Sequence, residues 1–444
     1  MSKNIVAYII TAVIVVAAIG VYTVNNSSSD DNKYVDSYPT GRLWVLGNAN
    51  NDDYINQSDV DYINNIISRG SINYKDCFMC DANYDGKIDS GDVKQVLALI
   101  AGTADKIWYV NVDKKISSFD STTEKNVLTI YQACTEEVIL LNSDLIVASD
   151  DTTTKTGYPM FRDVVPSNLP SVGDTNDPDI EAIIEIYNTY GSLIVFTGTA
   201  DYFNPTLESQ VEPFGIQVVR LPSWEQGLVP NGILTLGYLL GETENAYKYL
   251  EWHDRIINTI TEKVSSIPDE DKVKLLVLDT FPDDADEILG PGSGDYENSE
   301  LSGGNNLADI FGSTEEKSIT YEYTVEDIAS LYQKNDLELI ILRFNGPYLA
   351  KEGTATEYYN MSVDRFQPYM EDINICVLGG DFSVGPSYTI AMMLYASWMH
   401  PDLFEGEFDI LDEYQYYLSD LIGFTSWNAT EMETSYSYLD VQQS

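Results

Sequence analysis

Between Asn231 and Ser266 the chain reads NGILTLGYLLGETENAYKYLEWHDRIINTITEKVSS. Ala246, Tyr249, Leu250, Ile256, Ile257, Ile260 and Val264 fall at helical spacing along one face. Thr243 stands where an N-cap hydroxyl accepts from the first turn, and Pro268 stands where a helix cannot continue. About 23 residues at ~1.5 Å each make a rod of roughly 34 Å, near the diameter of a small domain. On both sides strand-like and helix-like runs alternate. Before the rod, IWYVNV, VLTIY, Leu145–Ala148 and Leu193–Phe196 read as strands, and DPDIEAIIEIYNTY reads as a helix. LESQVEPFGIQVVRLP follows as helix, turn at Gly215 and strand. After the rod, KVKLLVLDT reads as a strand and YTVEDIASLYQKNDLELIILRF as a helix and strand; INICVLGG reads as a strand before a last long helix. Such alternation predicts parallel sheets, with ligands beyond the carboxyl ends of the strands. A rod between two α/β lobes predicts a binding protein that closes with little hinge flexibility. The alternative is a surface helix of one large domain.

Length and charge narrow this. With 444 residues the chain is long enough for two or three domains. Its formal net charge of −47 makes nucleic acid and anionic membrane surfaces poor partners. With only His253 and His400, a bare transition-metal site lacks imidazole. Lys3 precedes an apolar run, Ile5–Val24, long enough to span a bilayer, and NNSSSDDN follows it. The charge order places the bulk of the chain outside. The run is long for a signal-peptide core, so an uncleaved anchor is favoured over a cleaved secretion signal. Cys77 and Cys80 form a C-x-x-C open to a local disulfide, whereas Cys134 and Cys376 read as small buried residues.

Two stretches carry metal-ligand spacing. NANNDDYINQSD begins at Asn48 and DANYDGKIDSGD at Asp81. Each places oxygen side chains at loop positions 1, 3, 5 and 12, a spacing that wraps calcium. The first loop offers Asn48, Asn50, Asp52 and Asp59 with the Tyr54 carbonyl; the second offers Asp81, Asn83, Asp85 and Asp92 with the Lys87 carbonyl. An apolar-periodic helix follows each loop. Duplicated loop–helix units with Asp at position 12 resemble a type I dockerin module, which implies two structural calcium ions and a cohesin module as partner. The first loop departs from the pattern with Asn48 at position 1 and Asp53 where glycine is usual. A calcium-stapled spacer is the alternative.

A second resemblance covers about residues 107–425. It rests on Leu169-Pro170-Ser171-Val172-Gly173, then Asn176-Asp177-Pro178-Asp179-Ile180-Glu181-Ala182-Ile183, the G-I-x-V-V strand at Gly215–Val219, and Gly292, Ser293 and Gly303-Gly304-Asn305-Asn306 after the rod. These residues look like the helical-backbone (class III) substrate-binding proteins of ABC importers, the ferric-siderophore, haem and cobalamin group. The resemblance implies an α/β fold of two Rossmann-like lobes, 105–240 and 269–430, joined by a linker helix at 241–268. An all-α calcium module (41–104), a polar tether (25–40) and an N-terminal transmembrane helix (1–24) precede them, and a tail (431–444) follows. Binding residues are then expected on the strand-end loops: Asp150, Asp151, Tyr158, Tyr202, Phe203 and Trp224 in the first lobe. In the second they are Ser293, Tyr296, Arg343, Phe344, Tyr348, Asp381 and Phe382. Aromatics suit a large, partly apolar ligand. The acidic surroundings favour a neutral or cationic chelate, such as a corrinoid or hydroxamate, over an anionic catecholate. His253 and His400 are poorly placed for axial haem ligation. Glu208 and Glu326 match, by position, the family's permease-docking carboxylates. The expectation is a non-enzymatic extracytoplasmic capture protein, anchored at the cell surface through its N-terminal helix alone, that passes a metal chelate to an ABC permease. The alternative is a surface scaffold or adhesion protein using the dockerin-like module. No G-x-S-x-G or H-E-x-x-H supports a hydrolase.

Overall fold

The computed structural model describes residues 34–439, apart from 71–72, 155–160, 162–163, 281–286, 313–318, 336, 345–353, 383, 427 and 433–437. The predicted transmembrane run therefore lies outside the described residues. No helix among the described ones is long and apolar enough to cross a membrane. The main helices are α1 Gln57–Arg69, α2 Ser90–Ile100, α3 Gln132–Asn142, α4 Ile180–Tyr190, α5 Leu207–Val211, α6 Val229–Leu240, α7 Thr243–Val264, α8 Gly294–Leu301, α9 Val325–Asn335, α10 Thr354–Phe366, α11 Tyr388–Met399 and α12 Ile410–Tyr416. The strands are β1 Lys106–Val110, β2 Ile116–Asp120, β3 Val127–Thr129, β4 Ile146–Ser149, β5 Ile194–Thr197, β6 Gln217–Arg220, β7 Val273–Thr280, β8 Glu287–Leu289, β9 Gly304–Asn306, β10 Thr320–Glu322, β11 Leu339–Phe344, β12 Asn374–Gly379 and β13 Tyr438–Leu439. The chain divides into two compact units that do not follow chain order. The first holds residues up to 127 with 180–222 and 230–243; the second holds 128–179, 223–229 and everything from 244 onward.

In the first unit, α1 and α2 each begin with a capping box, Asn56 with Asp59 and Asp89 with Asp92. Their apolar faces meet in a small core of Val60, Ile63, Ile67, Val93 and Val96. The hairpin β1–β2 pairs antiparallel, and β5 runs parallel to β6 with Val195 opposite Val218. Gly215 turns the chain into β6 at φ +92°, a conformation in which a side chain would be strained. The C-x-x-C pair is not a disulfide: Cys77 and Cys80 are buried free thiols, and Cys77 donates to the Asn73 carbonyl.

The second unit is built on a seven-stranded sheet. β9, β7, β11 and β12 form its parallel centre, as the alternation of strands and helices predicts. The sheet as a whole is mixed, because β8, β10 and β13 add antiparallel edges. These edge strands are two or three residues long, too short to leave a sequence period. The rod is α7, and Thr243 is its first helical residue rather than a flanking cap. It buries Ala246, Tyr249, Leu250, Trp252, His253, Ile256 and Ile260. Tyr249 donates to the Pro386 carbonyl at 3.0 Å, and Trp252 donates to Glu413 at 3.0 Å. Helix α3 is buried from Ala133 to Leu141, acidic residues included.

Candidate functional site

The strand ends of the second unit gather a connected set of charged and hydroxyl side chains. Arg343, at the end of β11, bridges Asp279 of β7 at 3.2 Å and Asp295 of α8 at 2.9 Å. Its side chain is 15% exposed, and both carboxylates are buried. Burial opposes the guanidinium charge, but Asp279 and Asp295 outweigh it, so Arg343 stays firmly protonated. Tyr395 of α11 donates to Asp295 at 2.7 Å. By formal count one guanidinium thus faces two carboxyl groups. Ser293 caps α8 by accepting from the Tyr296 amide, while the Tyr296 hydroxyl donates to Asp309.

A second set lies after β3 and β4. Asp150 is fully buried and accepts from the Tyr131 amide at 3.0 Å and from the Thr152 and Thr175 hydroxyls. Burial pushes its carboxyl up, and these bonds oppose the shift. Ser171 donates to Asp151 at 2.5 Å. Tyr131 holds φ +88°, a strained conformation for a residue with a side chain, at the entry to α3. Its phenol lies within the fields of Arg343, Glu225 and Asp150. Sequence reasoning missed Tyr131, Asp279, Asp295 and Tyr395. Only Tyr131 carried a signal, as the last residue of the strand-like run VLTIY.

The other candidates divide. Phe344 stacks on Tyr358, and Phe382 meets Tyr414 edge-on, so both are packed in the interior. Trp224 is half-buried. In the first unit Tyr202 is exposed while Phe203 is buried. Tyr158 and Tyr348, with the side chain of Asp381, lie outside the described residues. Glu326 is exposed in the first turn of α9. Glu208 instead makes two bonds to the buried Arg220, at 2.6 and 3.0 Å. It also borders a concavity of about 650 Å³ with Tyr38, Asp113 and Lys114, which none of the predicted ligand contacts lines. Both histidines are committed: His253 to Asp254 and Tyr388, His400 to the Gly303 carbonyl.

The two oxygen-rich loops share their bonds at positions 3, 5 and 12 and differ at position 1. Asp59 accepts from the Asn50 and Asn56 amides as Asp92 does from those of Asn83 and Asp89. Asp52 accepts from the Tyr54 amide as Asp85 does from that of Lys87. Asn51 and Tyr84 hold the same left-handed turn. Asp81 accepts from the Asp85 and Gly86 amides and the Tyr74 hydroxyl. Burial pushes the carboxyls of Asp59 and Asp81 up and brings that of Asp92 to about 8. Among the described residues no group of three or more His, Cys, Asp and Glu side chains converges closely enough to hold an ion. The donor set nevertheless fits calcium. All the side-chain donors are oxygens, and Asn48 Oδ1, at position 1 of the first loop, is buried with no hydrogen-bond partner.

No protein-family model matches the sequence, and no curated protein matches it. Solved structures do. A TroA-like periplasmic binding protein, FepB, from Veillonella parvula aligns at TM-score 0.61 and 11% identity over 76% of this chain and 99% of its own. An ABC transporter solute-binding protein from Sulfurospirillum deleyianum aligns at TM-score 0.56 and 15% identity over 74% of this chain and 98% of its own. The molybdate-binding protein MolA of a Haemophilus influenzae ABC transporter, solved with molybdate, aligns at TM-score 0.54 and 12% identity over 72% and 99%. The fold is that of the solute-binding proteins of ABC transporters.

Proposed function

We propose that this protein captures a metal chelate outside the cytoplasm and delivers it to an ABC permease, without catalysing a reaction. The observation that carries this reading is the fold, which aligns with nearly the full length of solute-binding proteins of ABC transporters. The charge of the strand-end cluster supports a neutral or cationic ligand, such as a ferric hydroxamate or a corrinoid. Arg343 is already paired with two carboxyl groups, Asp279 and Asp295, and so offers no spare cation to an anionic catecholate. The bonds of His253 and His400 argue against axial haem ligation. The apolar run Ile5–Val24 supports a surface anchor.

Calcium belongs to the same reading. Asn48, Asn50, Asp52, Asp59 and the Tyr54 carbonyl would hold one ion; Asp81, Asn83, Asp85, Asp92 and the Lys87 carbonyl would hold the other. Bound calcium neutralises carboxylates that the fold buries close together. A second reading, a surface scaffold that engages a cohesin module, draws on the duplicated loops and on the internal commitment of Asp150 and Arg343.

The test is a tryptophan-fluorescence titration of the full chain in calcium buffer. The panel holds corrinoids, ferric hydroxamates, ferric catecholates and haem. Trp224 sits two residues beyond Pro222 on a candidate contact loop. Saturable quenching at micromolar or lower concentration by a corrinoid or hydroxamate is expected. Tight binding of catecholates alone would overturn the charge argument, and silence from the whole panel would favour the scaffold.

A further inference from the structure

The oxygen-rich loops are tied to the rest of the first unit through the segment before loop one and through β1. The segment between the tether and the first loop, Leu43 to Leu46, is wholly buried. It pairs with β1: Val45 bridges Tyr109, the Leu46 amide donates to Trp108, and the Val110 amide donates to Trp44. The Trp44 amide also donates to Thr235 of α6. Asn48, the first residue of loop one, donates to the Leu43 carbonyl at 2.9 Å. Asp53, which replaces the usual loop glycine, pairs with Arg42. Gly47 donates to Met79, next to the entry of loop two, and a Cβ on Gly47 would press on Val96 and Leu99 of α2. From loop two, Tyr84 packs on Trp108 of β1 with ring centroids 4.8 Å apart.

These contacts continue past β1. The Val112 amide donates to the Arg220 carbonyl at the end of β6. The Arg220 guanidinium holds the carbonyls of Gly198, Phe203 and Asn204. That loop carries the candidate ligand residues Tyr202 and Phe203. Every group in this series belongs to the first unit.

We propose that calcium binding at the two loops and ordering of β1, β6 and the 198–208 loop are one cooperative event, so that calcium governs the ligand-facing loop of the first unit. The proposal rests on the calcium reading given above. The second observation at the acidic loops is Asn48 Oδ1, buried, unpartnered, and attached through its own amide nitrogen to the segment that pairs with β1. Contact alone does not establish coupling, so the test must read the far end of the series directly.

The experiment is hydrogen exchange on the full chain, with calcium chloride or with a chelator, beside calorimetric titration of calcium. Calcium is expected to slow exchange about tenfold or more in 48–59 and 81–92, and equally in 106–112 and 198–208. Asp92→Asn should remove protection in both regions. Trp108→Ala, on β1 and outside both loops, removes the contact with Tyr84; it should keep calcium binding and loop protection while weakening the calcium-dependent protection of 198–208. Calcium heat with protection confined to the two loops would overturn the coupling and leave calcium binding standing. No heat and no protection anywhere would overturn both.

Discussion

Glu137 lies on α3 with no exposed surface, and neither carboxylate oxygen has a hydrogen-bond partner. Burial, then Glu136 and Glu225, push its carboxyl well above the ordinary carboxylate range. The folded chain therefore keeps a proton that the unfolded chain releases. Stability from neutral Glu137 is present at low pH and is lost as pH rises above the unfolded value. Glu137→Gln removes the ionisation and keeps the shape. It should raise the unfolding free energy at pH 8 by about 1–3 kcal/mol and change little at pH 4.5, in urea melts at both values. Equal gains at both pH values would assign the effect to packing instead. Glu136, one position earlier, differs because the Tyr417 hydroxyl donates to it. The letters EE at the head of an apolar run gave no hint that both acids are interior.

Among the elements, the loop that follows β5 depends on a side chain from β6. Arg220 is fully buried, and its donors reach Gly198, Phe203, Asn204 and Glu208. Removing one partner of a buried pair costs about 3–5 kcal/mol. Glu208 is 26% exposed, so water will recover part of that loss and the lower end applies. Arg220→Met should therefore cost about 3 kcal/mol by urea unfolding. The double change Arg220→Met with Glu208→Leu should cost less than Arg220→Met alone; an equal or greater cost would mean that the carbonyl bonds, not the ion pair, carry the energy. This pair also marks how far the sequence reads. α7 is legible because its apolar positions keep a helical period, and β6 because a short β-branched run follows a turn glycine. α3 is not, because it is buried all round and presents no stripe. The oxygen loops are legible because a short chain segment must place all its ligands by spacing alone. The Arg343 cluster is not, since β7, α8, β11 and α11 bring its members together from distant positions. For the same reason Glu208 could be placed by position as a docking residue while its bonds to Arg220 stayed out of view.

For the whole molecule, the excess of 71 acidic over 24 basic residues makes any single surface carboxylate hard to single out by charge. Glu326 stands apart by place: it is exposed in the first turn of α9, whereas Glu208 is held by Arg220. If the protein delivers solute to a permease, Glu326 is the better of the two for an intermolecular ion pair, because it forms no ion pair among the described residues. Glu326→Arg should then lower uptake about three- to tenfold, the scale of one lost surface pair plus like-charge repulsion. Chelate affinity measured on the isolated protein should not change, since docking and capture use different groups. Glu322→Arg, also exposed on the neighbouring β10, makes the same change in net charge and serves as the control. Uptake would be measured in cells carrying the permease, at low and physiological salt. Equal losses from both variants would trace the effect to the overall field, which salt screens within roughly 8–10 Å. A loss of chelate affinity in Glu326→Arg would place α9 in the binding site instead. A loss confined to uptake, larger at low salt, is the outcome expected of a docking carboxylate.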